Sequence, residues 1–343
     1  MFGYEWRIAD GYSAPGAAAH GSTAFSTFCS GGGSTMGMRL AGYDVLGGVE
    51  IDPRAAGAYR ANNKPALLYV EDIRAFNERD DLPDALYGLD LLDGSPPCTS
   101  FSFSGRRELD WGRARRFAEG GAEQVLDDLV LAYCDTVAKL QPKAAVMENV
   151  PGLAAGNAAA YLARALARLG AAGYDAQLFR LNAALMGVPQ SRERLFVIAR
   201  RRGLGWPPLR LSFSERPIPF GEVMDAADTH EDMQPAVRRY WELRRPGDRS
   251  IMHIARRVEG SGSFFNHKLL TRDRVASTVT SSSDNWLFDV PRRLNVGELV
   301  KVSSFPADYD WCGMRPLYLT GMSVPPVMAA QVAWQVYEQW LAG

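Results

Sequence analysis

The tetrapeptide Ser95-Pro96-Pro97-Cys98 places a thiol directly behind the apolar run Ala85–Leu92 and ahead of a Ser/Gly-rich segment, Thr99–Gly105. Two prolines restrict the chain as it leaves a strand, so the thiol is held in a defined direction. Further along, Ala144–Pro151 sets Glu148, followed by Asn149, at the end of a second apolar run. Low polarity there raises a carboxyl group's affinity for its proton, and a cysteine and a proton-holding acid make a nucleophile and acid pair. A lone cysteine is also commonly a buried structural residue. The polar segment after Cys98 reads instead as a mobile lid. The stretch Gln190-Ser191-Arg192-Glu193-Arg194 adds two guanidinium groups at the entrance of another strand, although each alone could be an ordinary salt-bridge arginine.

A second constellation lies upstream. Phe28-Cys29-Ser30-Gly31-Gly32-Gly33 joins an apolar run to a helix starting near Ser34 or Thr35. Glycines at such a turn let backbone amides approach a ligand, as in nucleotide-type cofactor sites, or simply make a tight turn. The set is strengthened by Glu50 at the end of the next apolar run, placed for ribose hydroxyls, and by Asp72-Ile73 after the third, placed for an adenine edge.

These residues need strands that end at one edge. The predicted strands are Ala24–Phe28, Asp44–Glu50, Ala66–Tyr69, Leu89–Asp93, Ala144–Glu148, Asp175–Leu181 and Arg194–Ile198, with amphipathic helices over Gln124–Leu140 and Ala158–Leu169. The alternation implies a doubly wound α/β fold with a mostly parallel sheet, in which ligands gather at the carboxyl ends of the strands. The Gly/Ala/Ser-rich residues 1–22 read as a loose N-terminal arm and 23–201 as the main domain. Beyond Arg200, Trp206-Pro207-Pro208 and Pro217-Ile218-Pro219 break the alternation, so 202–275 reads as a second, smaller domain. Residues 276–343 return to the first domain and end in a helix after Pro325-Pro326.

The chain has 343 residues and a net charge of −1, which gives ample core but no global attraction to nucleic acid. Its cations nevertheless cluster between Arg238 and Arg274, which suggests a local anionic partner or a solvated arginine-rich face. Cys29, Cys98, Cys134 and Cys312 are far apart and form no Cys-x-x-Cys pair, so neither a metal site nor a disulfide framework is indicated. With no membrane-length apolar run and no signal peptide, the expectation is a cytoplasmic protein.

Taken in order, Phe28–Gly33, Glu50, Asp72-Ile73, Pro96-Pro97-Cys98, Glu148-Asn149-Val150, Gln190–Arg194 and Gly321-Met322-Ser323-Val324 resemble the motif series of C5-cytosine-specific DNA methyltransferases. The weaker block Arg293–Glu298 with Phe305-Pro306 resembles the segment that supports the family's recognition domain. The resemblance covers nearly the whole chain from residue 24 on. It implies a Rossmann-like class I methyltransferase domain binding S-adenosylmethionine, with 202–275 as a target-recognition domain. Phe28, Ser30, Gly31, Gly33, Glu50, Ile51, Asp72, Ile73, Ser95, Pro97, Ser323 and Val324 are then the cofactor residues.

As the resemblance implies, the thiolate of Cys98 adds to carbon 6 of a flipped-out cytosine, Glu148 bonds N3 and the exocyclic amine, and Arg194, with Arg192 behind it, fixes the O2 edge while Asn149 orients the site. The loop from Thr99 to about Arg116 closes over the base, and Ser100, Ser102, Arg106, Gln190, Arg244, Arg245, Arg256, Arg257 and Lys268 are expected at the DNA, alongside Arg238, Arg239, Arg249 and Arg272 as further candidates in the small domain. Expected partners are double-stranded DNA and, where a restriction system accompanies it, a companion restriction endonuclease, with no metal and no membrane. A monomer of bacterial or phage origin, associated with the nucleoid, fits this picture.

The family usually has an acid where Ser26 stands, a glycine at Ser30, a glutamine at Thr99 and an asparagine at Met322, which touches the cofactor's methionine end and the handling of the target. An RNA cytosine methyltransferase on the same domain, a silent DNA-binding homologue and a NAD-type dehydrogenase are rival readings. A pure binder has no need of a nucleophile, and a dehydrogenase leaves Cys98 and Glu148 unexplained.

Overall fold

Seven strands form one sheet in the computed structural model, which describes residues 2–12, 19–97, 128–156, 158–260, 262 and 264–343 and the backbone of 115–116 and 123–124. They are β1 (Thr23–Thr27), β2 (Asp44–Val49), β3 (Leu67–Tyr69), β4 (Leu91–Gly94), β5 (Ala144–Asn149), β6 (Tyr174–Asn182) and β7 (Glu193–Arg201). The order is β3-β2-β1-β4-β5-β7-β6. All pairs are parallel except those of β7, which runs antiparallel to both β5 and β6. Strand order reverses between β1 and β4, so a crevice opens outside the carboxyl ends of these two strands. Each expected strand is present, with ends moved by a few residues at most.

Helices α1 (Gly33–Leu40), α2 (Pro53–Asn63), α3 (Ile73–Glu78), α4 (Leu129–Leu140) and α5 (Ala158–Ala171) connect the strands. Asp52 and Asp72 cap α2 and α3 by accepting from the backbone of Arg54 and Arg74. The apolar stripes of α3, α4 and α5 pack on one face of the sheet against Phe25, Leu92, Met147 and Val197. Tyr133 of α4 is buried there and its hydroxyl donates between the carbonyls of Leu92 and Val146, at 3.1 and 3.0 Å, which ties the helix to β4 and β5.

Two short helices, α6 (Pro235–Trp241) and α7 (Ile251–Glu259), and a parallel strand pair, β8 (His267–Leu270) and β9 (Asp284–Leu287), enclose a separate apolar cluster around the fully buried Trp286. This cluster spans Met233 to Trp286, whereas Trp206 stacks on Trp340 and Leu209 is buried with the main body. The proline-broken stretch after Arg200 is therefore partly a strap on the first body, because its tryptophan and leucine find apolar partners there.

The return segment forms α8 (Val296–Val302), α9 (Pro316–Met322) and α10 (Pro326–Val336). Asn295 and Glu298 make a reciprocal capping box at the start of α8. Helix α10 lies on the second face of the sheet beside α1, so close that a Cβ on Gly37 would sit 2.4 Å from the Pro326 carbonyl and 2.6 Å from the Ala329 methyl. At the N-terminus, where a loose arm is expected, residues 2–12 are anchored. Phe2 is buried, Trp6 donates to the Ser304 carbonyl at 3.0 Å, and Ile8 donates to Asp308 at 2.7 Å. The aromatic anchors override the small-residue composition around them. Among the described residues no helix is long and apolar enough to cross a membrane.

Candidate functional site

The first turn after β1 places Phe28, Ser30 and Gly32 in left-handed backbone conformations, with φ of 55°, 45° and 86°. Within this turn the Cys29 amide bonds the Val49 carbonyl and the Gly32 amide the Cys29 carbonyl, while Ser30 N–H donates to the Glu50 carboxylate at 2.7 Å, which also accepts from Asp52 N–H at 2.9 Å. Burial pushes the Glu50 carboxyl up to about 6, against the lowering effect of those amides. Glu50 lines the crevice, where its remaining lone pairs can accept hydroxyl groups. Gly33 is required for a different reason, since a Cβ there would meet the Val324 carbonyl at 2.2 Å where the return segment crosses α1.

Phe28, Ser30, Glu50, Ile51, Ile73, Ser95, Pro97, Glu148, Asn149, Arg192 and Arg194 line a single cleft of about 1080 Å³. Of the expected cofactor residues, Gly31, Gly33, Asp72, Ser323 and Val324 stand behind its wall. Asp72 spends its carboxylate on capping α3 and pairing with Arg74. Its neighbour Glu71 lines the cleft instead, with Oε1 buried and unpartnered. Val324 lies in the apolar core beside α10, while Gly321 and Met322 reach the cleft wall.

At the other end of the cleft, Arg194 Nε contacts Glu148 Oε1 at 2.7 Å with both side chains nearly buried. Residues on adjacent antiparallel strands β5 and β7 are thus brought into one charge-assisted pair. Asn149 donates from Nδ2 to the Pro96 carbonyl at 3.1 Å and accepts from Val150 N–H at 2.9 Å, so it pins the diproline turn that leads to residue 98. Cys98, and with it Ser100, Ser102, Arg106 and nearly all of the expected lid, lies outside the described residues. The remaining cysteines are elsewhere. Burial pushes the Cys134 thiol up to about 12 and the Cys29 thiol well above its usual value, and Cys312 is exposed away from the cleft.

Two residues of the Gln190–Arg194 stretch spend their side-chain hydrogen bonds on the protein itself, although Arg192 also lines the cleft. Arg192 is buried and donates to the carbonyls of Val279, Gly321 and Ser323 at 2.7, 3.2 and 3.0 Å; burial lowers its guanidinium to about 9. Gln190, expected at the DNA, is 1% exposed, gives its amide N–H to Val302 O and takes Val279 N–H. Both tie β7 to the return segment.

The acid expected at position 26 is found next door. Ser26 of β1 pairs in register with Asp93 of β4 and its hydroxyl donates to the Asp93 carboxylate at 2.8 Å. Burial is the main reason the Asp93 carboxyl is raised to about 7, and the nearby Glu148 adds to it.

The small cluster forms the opposite wall of the cleft, and it sorts the expected cations. Arg249, Lys268 and Arg274, with His253, face the cleft. Arg244 instead lies flat on Trp241 at 3.3 Å and donates to the Phe288 and Trp241 carbonyls, and Arg257 forks onto Asp248 at 2.7 and 2.9 Å. Arg272 pairs with Asp289 and Arg238 with Glu231. Arg245 and Arg256 are exposed but away from the cleft. These internal partners come from the folding of the small unit and have no signature in the local sequence.

Residues 22–338 match the family described as C-5 cytosine-specific DNA methylase. The chain is 26% identical over 367 residues to the Type II methyltransferase M.XorII of Xanthomonas oryzae pv. oryzae, covering 90% of this chain and 83% of that one. It is 28% identical over 329 residues to the Type II methyltransferase M1.HphI of Haemophilus parahaemolyticus, covering 91% and 85%. Among solved structures, a prophage-encoded E. coli protein aligns with a TM-score of 0.64 at 19% identity over 93% of this chain and 99% of that one. Spodoptera frugiperda DNMT2, in mutant form, aligns with a TM-score of 0.61 at 16% identity over 92% and 99%.

Proposed function

The chain belongs to the C-5 cytosine-specific DNA methylase family and is a DNA cytosine-5 methyltransferase, and from that premise we propose how its residues divide the work. The crevice at the β1–β4 switch suits S-adenosylmethionine. Phe28 and Ile73 offer apolar contacts for an adenine ring, Glu50 has free lone pairs for the ribose hydroxyls, and the unpartnered Glu71 oxygen lies in the same wall. When bound, the cofactor supplies the electrophilic methyl group.

The observation that carries the assignment is the Glu148–Arg194 pair set beside the Asn149-pinned turn before Cys98. The thiolate of Cys98 adds to carbon 6 of the cytosine, which turns carbon 5 into an enamine-like nucleophile. Glu148, protonated, donates to ring N3 as electron density moves, and Arg194 holds the O2 edge while keeping the acid oriented. Carbon 5 would take up the methyl group that the cofactor supplies, after which loss of the carbon-5 proton to a base and departure of Cys98 restore the ring as 5-methylcytosine. A stacked cytosine presents no face to these groups, so the base enters the cleft flipped out of the duplex. The unit around Trp286 is assigned to target recognition, with Arg249, Lys268 and Arg274 as its DNA-facing cations and Arg192 and Gln190 as supports for the return segment. A companion endonuclease and action as a monomer remain part of this reading.

Transfer of labelled methyl from S-adenosylmethionine to unmethylated DNA and to total RNA, followed by nucleoside mass spectrometry, tests it. 5-Methylcytosine in DNA is expected, and label confined to RNA overturns the DNA reading. Cys98→Ala is expected to abolish transfer with DNA binding retained; methyl transfer by that variant contradicts the covalent route.

A further inference from the structure

Glu148 also lines a second, much smaller void of about 10 Å³, bounded by residues of α1, β4, β5, β7 and α10. Glu148 is common to the lining of the void and of the cleft. Among the described residues, the polar side chains of the void are Ser34, Asp93 and Glu148, and the rest are apolar, including Met38, Phe196 and Val324. A volume of that size holds about one water, and three polar groups suffice to bond it. The strand register explains the grouping. Asp93 pairs with Val146 in parallel β4 and β5, so Asp93 and Glu148, two residues on, point to the same face.

We propose that Asp93 is a positioning residue that stores the proton Glu148 needs, passing it through a single water in this void. The proposal rests on the methyltransferase reading given above. In the resting site Arg194 pairs with Glu148 as a carboxylate and Asp93 carries the proton, so the two acids together hold one negative charge. When cytosine occupies the site, the water takes the Asp93 proton as it gives one of its own to Glu148. The O–H bond at Asp93 breaks, one forms at Glu148, the water is regenerated and total charge is unchanged. The new Asp93 carboxylate is held by the Ser26 hydroxyl at 2.8 Å and by Ser34. Among the described residues, the other ionisable groups around the pair are Arg192 on the Glu148 side and Cys29, Tyr59 and Tyr133 on the Asp93 side; burial keeps the thiol and both phenols neutral. Asp93, raised to about 7, gives up its proton above neutral pH.

The test is the pH profile of kcat for the full chain and for Asp93→Asn. The Asn variant is expected to lose roughly tenfold or more in kcat at pH about 6, where Asp93 of the unmodified enzyme holds its proton, and much less at about 8, where that store is already empty, with cofactor and DNA affinities within about twofold. A merely structural Asp93 lowers activity equally at all pH values, and that parallel loss overturns the proposal. The second measurement needs no turnover: infrared titration of buried carboxyl groups in the unmodified protein and in Glu148→Gln. Removing the neighbouring charge is expected to move the Asp93 protonation midpoint down, and an unmoved midpoint refutes the coupling. If the unmodified enzyme methylates no DNA while the carboxyls still titrate as a pair, the methyltransferase reading fails and the pairing stands.

Discussion

Asn149 on β5 holds Pro96 on the β4 loop, its Nδ2 donating to the proline carbonyl at 3.1 Å. Proline has no N–H, so the turn before residue 98 cannot secure itself through its own amides, and a carboxamide from the next strand does so. The same strand end presents Glu148 to Arg194 at 2.7 Å. One dipeptide therefore sets both the acid and the approach to the thiol.

Asn149→Ala is expected to lower kcat about 10- to 100-fold while leaving cofactor affinity nearly unchanged, because a small misplacement of a nucleophile costs rate rather than binding. Single-turnover methyl transfer alongside cofactor titration checks this, and a variant with normal kcat refutes the positioning role.

Glu50 predicts a pH dependence of cofactor binding. Its folded carboxyl is raised to about 6, so lowering pH through that value protonates it and removes an acceptor for the ribose hydroxyls. The sign for folding is opposite: an acid with a raised native value favours the folded state more as pH falls toward its unfolded value. Calorimetric titration is expected to show affinity falling below pH 6 in the unmodified enzyme and no such trend in Glu50→Gln.

The cations of the small unit divide into two classes of outcome. Alanine at Arg249, Lys268 or Arg274 is expected to weaken DNA binding and reduce the salt slope by about one each, the signature of a lost phosphate contact. Arg244→Ala is expected to destabilise the small unit, because Arg244 packs on Trp241 and bonds two carbonyls, with the salt slope unchanged. Binding isotherms at several salt concentrations separate the two.

Arg292 and Glu298 are 0% and 1% exposed and form a two-pronged pair at 2.7 and 2.8 Å. Removing one partner strands a buried charge, so Arg292→Ala is expected to cost about 3–5 kcal/mol in denaturant unfolding. The doubly substituted Arg292→Met, Glu298→Leu protein is expected to recover much of that loss.

The strands were legible because each is an apolar run bounded by glycine, proline or an acid, and the order of site residues followed from the strand ends. The limits were equally physical. The Ser26–Asp93 pair exists only because β1 and β4 are neighbours in the sheet, although a lone acid inside Leu91-Leu92-Asp93-Gly94 was a visible anomaly. Gln190 and Arg192 read as site residues because a string of polar side chains beside a strand gives no hint of the return segment that buries them. Arg257 looked free for phosphate until folding brought Asp248 beneath it.

The tight seating of α10 against Gly37 and of Val324 against Gly33 bears on biosynthesis. The turn that shapes the cofactor crevice is synthesised long before the wall it leans on, because Gly33 and Gly37 meet Val324, Pro326 and Ala329 from far along the chain. A nascent chain thus carries its nucleophile, acid and arginine for most of its synthesis without a finished donor site. Methylating capacity waits on that wall, so chains interrupted before it pose no hazard to the DNA around them.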